Sequence, residues 1–306
     1  MFPSIMKTLR IGMAGLDTSH VPSFAKLLHD TSEKHHIPGA RVTVAFPGGS
    51  PDFDLSINRV EGFTADLRDN HGVEIVDSLT GLRDRCDAIM LESIDGRAHL
   101  EQFRAVSEWG VPIFIDKPLA VSGSDAREIA RLASERGVRV TSSSALRFAG
   151  PFRAALADGS DAPVLGADIY GPMALVEKCP GYFWYGIHSA EMLFAALGGG
   201  CREVLAVREE AHDVVIGRWG DGRLGTLRGN RGGNPGFGGT LHREKSSVAF
   251  DVSKSEKPFY ASLLEEVLPF FRGEKSGVAT LEETVEIIRF LDAANRSVVS
   301  GQWEKL

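Results

Sequence analysis

The chain reads as an α/β protein: an N-terminal, doubly wound parallel sheet, then an α+β portion with an open, mainly antiparallel sheet. Three observations predict this. Before residue 145, short apolar runs alternate with helix-period segments, the βαβ rhythm of a parallel sheet. Beyond residue 200, apolar and polar residues alternate, as in strands with one face in water. The apolar run Val111–Ile115 also stops abruptly at Asp116-Lys117-Pro118, as a buried strand does when it hands its loop to the carboxyl edge of a sheet. The boundary is placed at 147/148, beside Phe148-Ala149-Gly150-Pro151, giving portions 1–147 and 148–306.

The elements follow in order. Leu9–Ala14 is a first apolar strand, and Val21–Leu28 is a helix with Phe24, Leu27 and Leu28 on one face. Arg41–Phe46 is a Val-rich second strand; Val73–Val76 and Ala88–Leu91 are short strands. His99–Trp109 is helical and precedes the Val111–Ile115 strand. Ser124–Arg136 is a helix with Ser122 or Ser124 as N-cap and Gly137 as its stop, and Val138–Thr141 closes the parallel set. Val204–Arg208, Asp213–Arg218, Leu224–Leu227 and Ser247–Val252 are half-exposed strands, and Phe259–Phe271 and Leu281–Val299 are closing helices. The glycine-rich stretch Gly229–Gly239 is either a hairpin loop or a mobile loop over a ligand.

Composition excludes several classes. The 306 residues are 43% hydrophobic and 25% charged, a soluble globular balance. A net charge of -7 without a basic block argues against nucleic acid or an anionic membrane as partner. Cys86, Cys179 and Cys201 show no C-x-x-C spacing, so neither a disulfide framework nor a zinc knuckle is expected and a reducing, cytoplasmic setting is. Met1–Lys7 lacks the apolar run of a signal peptide, and no stretch is long enough to span a bilayer.

Four places carry candidate chemistry. Lys117, two residues past a strand, is either a solvated strand-end lysine or a donor to a substrate hydroxyl. The first strand-to-helix turn, Gly12-Met13-Ala14-Gly15-Leu16-Asp17-Thr18-Ser19-His20, has the place of a G-x-G-x-x-G phosphate turn but keeps only its first glycine, at Gly15. Asp17 at the second glycine position repels a pyrophosphate, or caps the helix itself. Asp17 and His20 are a cap pair, a substrate clamp or two ligands of a metal whose set is incomplete, so no metal is expected. After the second strand, Gly48, Gly49 and Ser50 form either a surface turn or a phosphate nest with Arg59 as counter-charge, the latter favouring NADP. His188, three before Glu191 on a helix starting near Gly186, is either packed in place or a proton carrier.

Taken together, these motifs resemble the Gfo/Idh/MocA oxidoreductases over nearly the whole chain. That family's Glu-Lys-Pro appears as Asp116-Lys117-Pro118, and its Asp-x-Gly-x-His-x-x-Asp helix as Trp184-Tyr185-Gly186-Ile187-His188-Ser189-Ala190-Glu191. Leu91–His99 occupies the place of the loop and histidine on the nicotinamide side, and Asp77-Ser78-Leu79 that of the turn before it. The resemblance implies a Rossmann domain at 1–147 and a substrate-binding and oligomerisation domain at 148–306. It implies NAD or NADP held by Gly12, Gly15, Asp17, Thr18, Ser19, His20, Gly48, Ser50, Arg59, Ser93, His99 and Asp116. Lys117 would bind the reacting hydroxyl and His188 would move its proton, on a sugar, polyol or sugar-derived substrate. A cis bond at Lys117–Pro118 would aim the ammonium. Arg147, Tyr182, Trp184, Tyr185 and Glu191 are substrate-contact candidates or ordinary packing residues. The chain departs from the family where Asp17 and His20 replace glycines, and where Trp184, a stacking face, replaces an aspartate. The alternatives are a redox-neutral sugar-modifying enzyme that retains NAD, and a non-catalytic carbohydrate-binding homologue that has lost the dinucleotide. The open sheet implies a homodimer or homotetramer.

Overall fold

The computed structural model describes residues 7–158 and 162–306. The N-terminal residues 1–6, part of the segment read above for a signal sequence, lie outside the described residues. Two compact units emerge. One runs through Asp116 and takes in Glu128–Ser142 and Tyr260–Val278; the other comprises Lys117–Arg127, Ser143–Phe259 and Ala279–Leu306.

In the first unit, β1 (Leu9–Ala14), β2 (Ala40–Phe46), β3 (Glu74–Ile75), β4 (Ala88–Leu91), β5 (Ile113–Ile115) and β6 (Val140–Ser142) form one sheet. Its order is β3-β2-β1-β4-β5-β6 and every pairing is parallel. The order reverses between β1 and β4, so loops leaving those two strands diverge and open a ligand crevice at the carboxyl edge. β4 and β5 are buried at every residue, as strands covered on both faces must be. Helix α1 (His20–His29) buries Val21, Phe24, Ala25 and Leu28, the i, i+3, i+4, i+7 stripe of one helix face. β1 and β4 match their sequence-predicted bounds residue for residue. β5 begins at Ile113, after Pro112, which has no N–H for the ladder. After α3 (His99–Val106), α4 (Gly123–Arg136) is capped by Ser122, whose Oγ accepts from the Asp125 N–H at 3.1 Å, and is stopped by Gly137 at φ +61°.

Helix α2 (Asp54–His71) has no counterpart in the sequence reading. It buries only Ser56 and Leu67, so its 18 residues carry almost no apolar period to find.

In the second unit the sheet order is β12-β11-β7-β10-β9-β8-β13. Its strands are β7 (Gly166–Pro172), β8 (Cys201–Arg208), β9 (His212–Trp219), β10 (Leu224–Asn230), β11 (Gly238–His242), β12 (Ser247–Asp251) and β13 (Glu304–Lys305). All pairings are antiparallel except β7 with β10. β9 and β10 alternate buried with more exposed residues, so one face meets the core. Helix α6 (Gly186–Leu197) lies against β7, and α8 (Leu281–Ser300) against β8 and α6. Helix α5 (Gly150–Ala157) packs on β12, while α7 (Phe259–Arg272) belongs from Tyr260 onward to the first unit. The two closing helices fall within a residue of their expected ends.

The glycine-rich stretch is not a hairpin loop. β10 and β11 do not pair with each other; both pair with β7, one on each side, and residues 231–237 carry the chain across it. No helix among the described residues is long and apolar enough to cross a membrane.

Candidate functional site

The first turn of the parallel sheet is built around Gly15. Its φ of +89° suits only glycine, and a Cβ there would run into the backbone and side chain of Ser93. Gly12, inside β1, is equally constrained, since a Cβ would approach Cys86 Sγ to 2.7 Å. Gly15 N and Leu16 N donate to Phe46 O and Pro47 O at 3.1 and 2.7 Å, tying this turn to the one after β2.

Asp17 does not cap α1. Its carboxylate is fully buried and turned aside, accepting from Ser56 Oγ at 2.5 Å and Ile94 N at 2.9 Å. Burial pushes this carboxyl up, against the opposing pull of those two hydrogen bonds. The N-cap of α1 is Ser19, whose side chain makes no capping bond, while Thr18 is buried and its Oγ1 takes the His20 N–H at 3.4 Å. The positive end of the helix is therefore not filled by the aspartate. His20 is buried; its Nδ1 stands 2.8 Å from Asp116 Oδ2, and its ring packs against Tyr260 with centroids 4.8 Å apart.

The turn after β2 is tied to the loop after β4 by side chains. Gly48 and Gly49 do have positive φ, but the Ser50 hydroxyl donates to Asp95 Oδ2 at 2.6 Å. Arg97 is held there by both Asp52 and Asp95 in bidentate contact. Burial pushes the Asp95 carboxyl up, but Arg97 and Ser50 outweigh it and hold it below the usual range. Arg59 is half-buried on α2. Ser93 Oγ accepts from Gln102 Nε2 at 2.7 Å, and His99 is the fully buried first residue of α3.

The second unit holds the other candidates. Lys117 is buried, 9% exposed, and its bond to Pro118 is cis. His188 sits on the first turn of α6, with its Nδ1 2.7 Å from Ser144 Oγ. Ser144 caps the short turn Ala145–Phe148 and also accepts from Leu146 N at 3.2 Å, so its oxygen is held from two sides. Tyr185 and Phe237 present edges to the imidazole, with centroids 5.9 and 5.6 Å away. Phe237 belongs to the glycine-rich crossing, so that stretch does reach the histidine. Trp184 and Tyr185 are half-buried and meet edge to face.

Three candidate contact residues are engaged inside the protein. Arg147 Nε meets Glu191 Oε2 at 2.8 Å and its Nη2 meets Glu283 Oε1 at 2.6 Å. Glu191 is 1% exposed, and burial pushes its carboxyl up against the pull of Arg147. At Arg147 burial lowers the guanidinium, but the two glutamates outweigh it and hold it above its usual value. Tyr182 is fully buried under the Arg208 guanidinium at 4.7 Å, and burial pushes its phenol up to about 12. Ser56 and Ser144 lie outside every segment singled out in the sequence, and no local spacing marks them; Asp95 and Arg97 fall within Leu91–His99 and Phe237 within Gly229–Gly239, but their partners could not be read there.

The first unit places a glycine turn after β1 at the carboxyl edge of a doubly wound sheet; the second holds the buried Lys117 and, on α6, His188. Residues 53–144 match the model of the GFO_IDH_MocA oxidoreductase family, NAD-binding Rossmann fold. That match agrees with the resemblance and with a nicotinamide cofactor over those residues, and the expected fold class holds. Solved structures share the fold over nearly its full length. GenD2 from gentamicin A biosynthesis, in complex with NAD, is 17% identical, with a TM-score of 0.79 over 100% of this chain and 99% of that one. A myo-inositol dehydrogenase from Corynebacterium glutamicum is 18% identical, with a TM-score of 0.74 over 98% and 99%. The WlbA dehydrogenase from Bordetella pertussis, in complex with NADH and UDP-GlcNAcA, is 16% identical, with a TM-score of 0.76 over 98% and 99%. No curated protein matches the sequence.

Proposed function

We propose that this protein oxidises or reduces a hydroxyl-bearing carbon of a sugar, cyclitol or sugar-derived acid, with Lys117 and His188 as its proton-handling pair. The observation that carries the reading is the fixed imidazole. Ser144 holds His188 through Nδ1, so proton exchange with a substrate falls to Nε2. Lys117, nine-tenths buried, donates to the reacting oxygen and favours its alkoxide character. Trp184 and Tyr185 offer ring faces to a sugar. The structural neighbours that bind or act on a sugar nucleotide and an inositol support this substrate class.

The first turn fits a dinucleotide. Gly15 keeps the backbone tight and Asp17 is turned aside, so a pyrophosphate would meet the positive end of α1 and not a carboxylate. When bound, the nicotinamide supplies the two-electron acceptor or donor. Asp52 and Asp95 against the single Arg97 beside Ser50 favour NAD over NADP, because a 2′-phosphate would face two carboxylates. The exposed apolar Val207 and Leu224 on the second sheet support a homodimer or homotetramer through that sheet. Cys86, Cys179 and Cys201, buried and without C-x-x-C spacing, fit a cytoplasmic setting.

The test is turnover, followed by nicotinamide absorbance across a panel of polyols, aldoses and sugar acids. Lys117→Met should lower kcat by about 10²-fold or more on the accepted substrate while leaving nucleotide affinity unchanged. Undiminished turnover in that variant would remove Lys117 from the chemistry.

A further inference from the structure

His20, Glu92 and Asp116 lie on three separate segments of the sequence, and the first unit brings them to one point. The register explains how. β4 and β5 are neighbouring parallel strands with Leu91 opposite Ile115, so Glu92 and Asp116 are the next residues along each. The ladder continues past the strand ends: Glu92 N donates to Ala14 O at 2.7 Å and Asp116 N to Leu91 O at 2.8 Å. Glu92 thus stands beside the end of β1, where the turn leads to His20 at the start of α1. One donor atom from each of the three side chains falls within 4.8 Å of the others. Exposure is 8% at His20, 0% at Glu92 and 1% at Asp116.

We propose that these residues form a binding site for one divalent first-row transition cation. The donor set is the first reason. One imidazole with two carboxylates suits zinc, manganese or iron, whereas magnesium and calcium sites are built from oxygen alone. Enclosure is the second: all three side chains are buried, so bulk water has little access to their donor atoms. The third is the contact between His20 and Asp116. Nδ1 comes to 2.8 Å from Oδ2, yet Nδ1 makes no aligned hydrogen bond. Two ligand atoms bound at about 2.1 Å to one metal lie about 3 Å apart in an octahedral site, so the pair already has chelate spacing. The cation ties together the carboxyl ends of β1, β4 and β5, and its binding needs no nucleotide.

The experiment uses the full-length protein, stripped with a chelator and dialysed, then titrated with Co²⁺ without nucleotide. The account expects one equivalent per chain, a d–d absorption band of the bound ion, and a rise in melting temperature that chelator reverses. Zn²⁺ should displace the Co²⁺ and bleach the band. The near-isosteric Glu92→Gln and Asp116→Asn should each weaken binding by about 100-fold or more, and His20→Ala should do the same if either carboxylate variant fails to fold. A folded wild-type protein that takes up no stoichiometric Co²⁺ or Zn²⁺ overturns the proposal. So does binding that survives undiminished in the folded variants.

Discussion

Replacing Arg147 by Met tests whether this arginine serves substrate or scaffold. In the structure it bridges Glu191 and Glu283 at 2.8 and 2.6 Å. At an effective dielectric of about 20, each pair with charge centres about 4 Å apart is worth about 4 kcal/mol before desolvation is subtracted. Burying the three groups offsets much of that, so the net worth of the cluster is small, but removing its centre is not. Arg147→Met leaves Glu191 fully buried without its cation, and the expected loss is about 3–5 kcal/mol of stability at neutral pH. The loss should shrink in acid. Burial raises the Glu191 carboxyl, so the folded variant takes a proton more readily than the unfolded chain. Such a group's contribution is present at low pH and fades as pH rises through the unfolded value toward the folded one. The double variant Arg147→Met/Glu191→Leu should recover to within about 1–2 kcal/mol of wild type, about 2–3 kcal/mol more stable than Arg147→Met alone. Urea unfolding of all four proteins at two pH values measures this. A stable, folded Arg147→Met with only its KM raised would refute the reasoning and return Arg147 to the substrate.

Two further outcomes are expected. Ser144→Ala removes the group that holds His188 Nδ1 at 2.7 Å; kcat should fall by about tenfold and the pH–rate profile should shift, while nucleotide affinity stays constant. His29 accepts the Val42 N–H at 2.9 Å, and burial, aided by nearby Arg41, lowers its imidazole to about 4. Its folded value lies below the unfolded one, so its contribution is complete above about pH 6.5 and is lost as pH falls toward 4. The loss is about 1–2 kcal/mol after discounting for partial exposure. His29→Gln should therefore flatten the fall in urea midpoint across that window, and an unchanged slope would contradict this.

Much of the fold was legible because burial leaves a period in the sequence. β4 is a continuous apolar run buried at every residue, β1 is buried from Ile11 to Ala14, and α7 and α8 carry full apolar stripes. α2 was invisible because it buries two residues. β7 and β11 went unread because glycines interrupt their apolar pattern: Gly166 and Gly171 in one, Gly238 and Gly239 in the other, all at points where a Cβ would crowd a neighbouring segment. Lys117 and His188 could be singled out because each stands at a fixed step from an element end. What surrounds them could not. Ser144 reaches His188, and Arg147 reaches Glu191, across 44 residues of sequence; His20, Glu92 and Asp116 meet only because three strands end side by side. The Asp17 side chain was read in the wrong direction, because its partners Ser56 and Ile94 lie 39 and 77 residues away.

The most direct test of the central claim is a calorimetric titration of nucleotide-stripped protein with NAD, NADH, NADP and NADPH in turn. The account predicts micromolar binding of NAD or NADH, with the phosphorylated pair weaker by about tenfold or more. No binding of any of the four to folded protein would contradict the claim that the turn holding Gly15 and the buried Asp17 receives a dinucleotide.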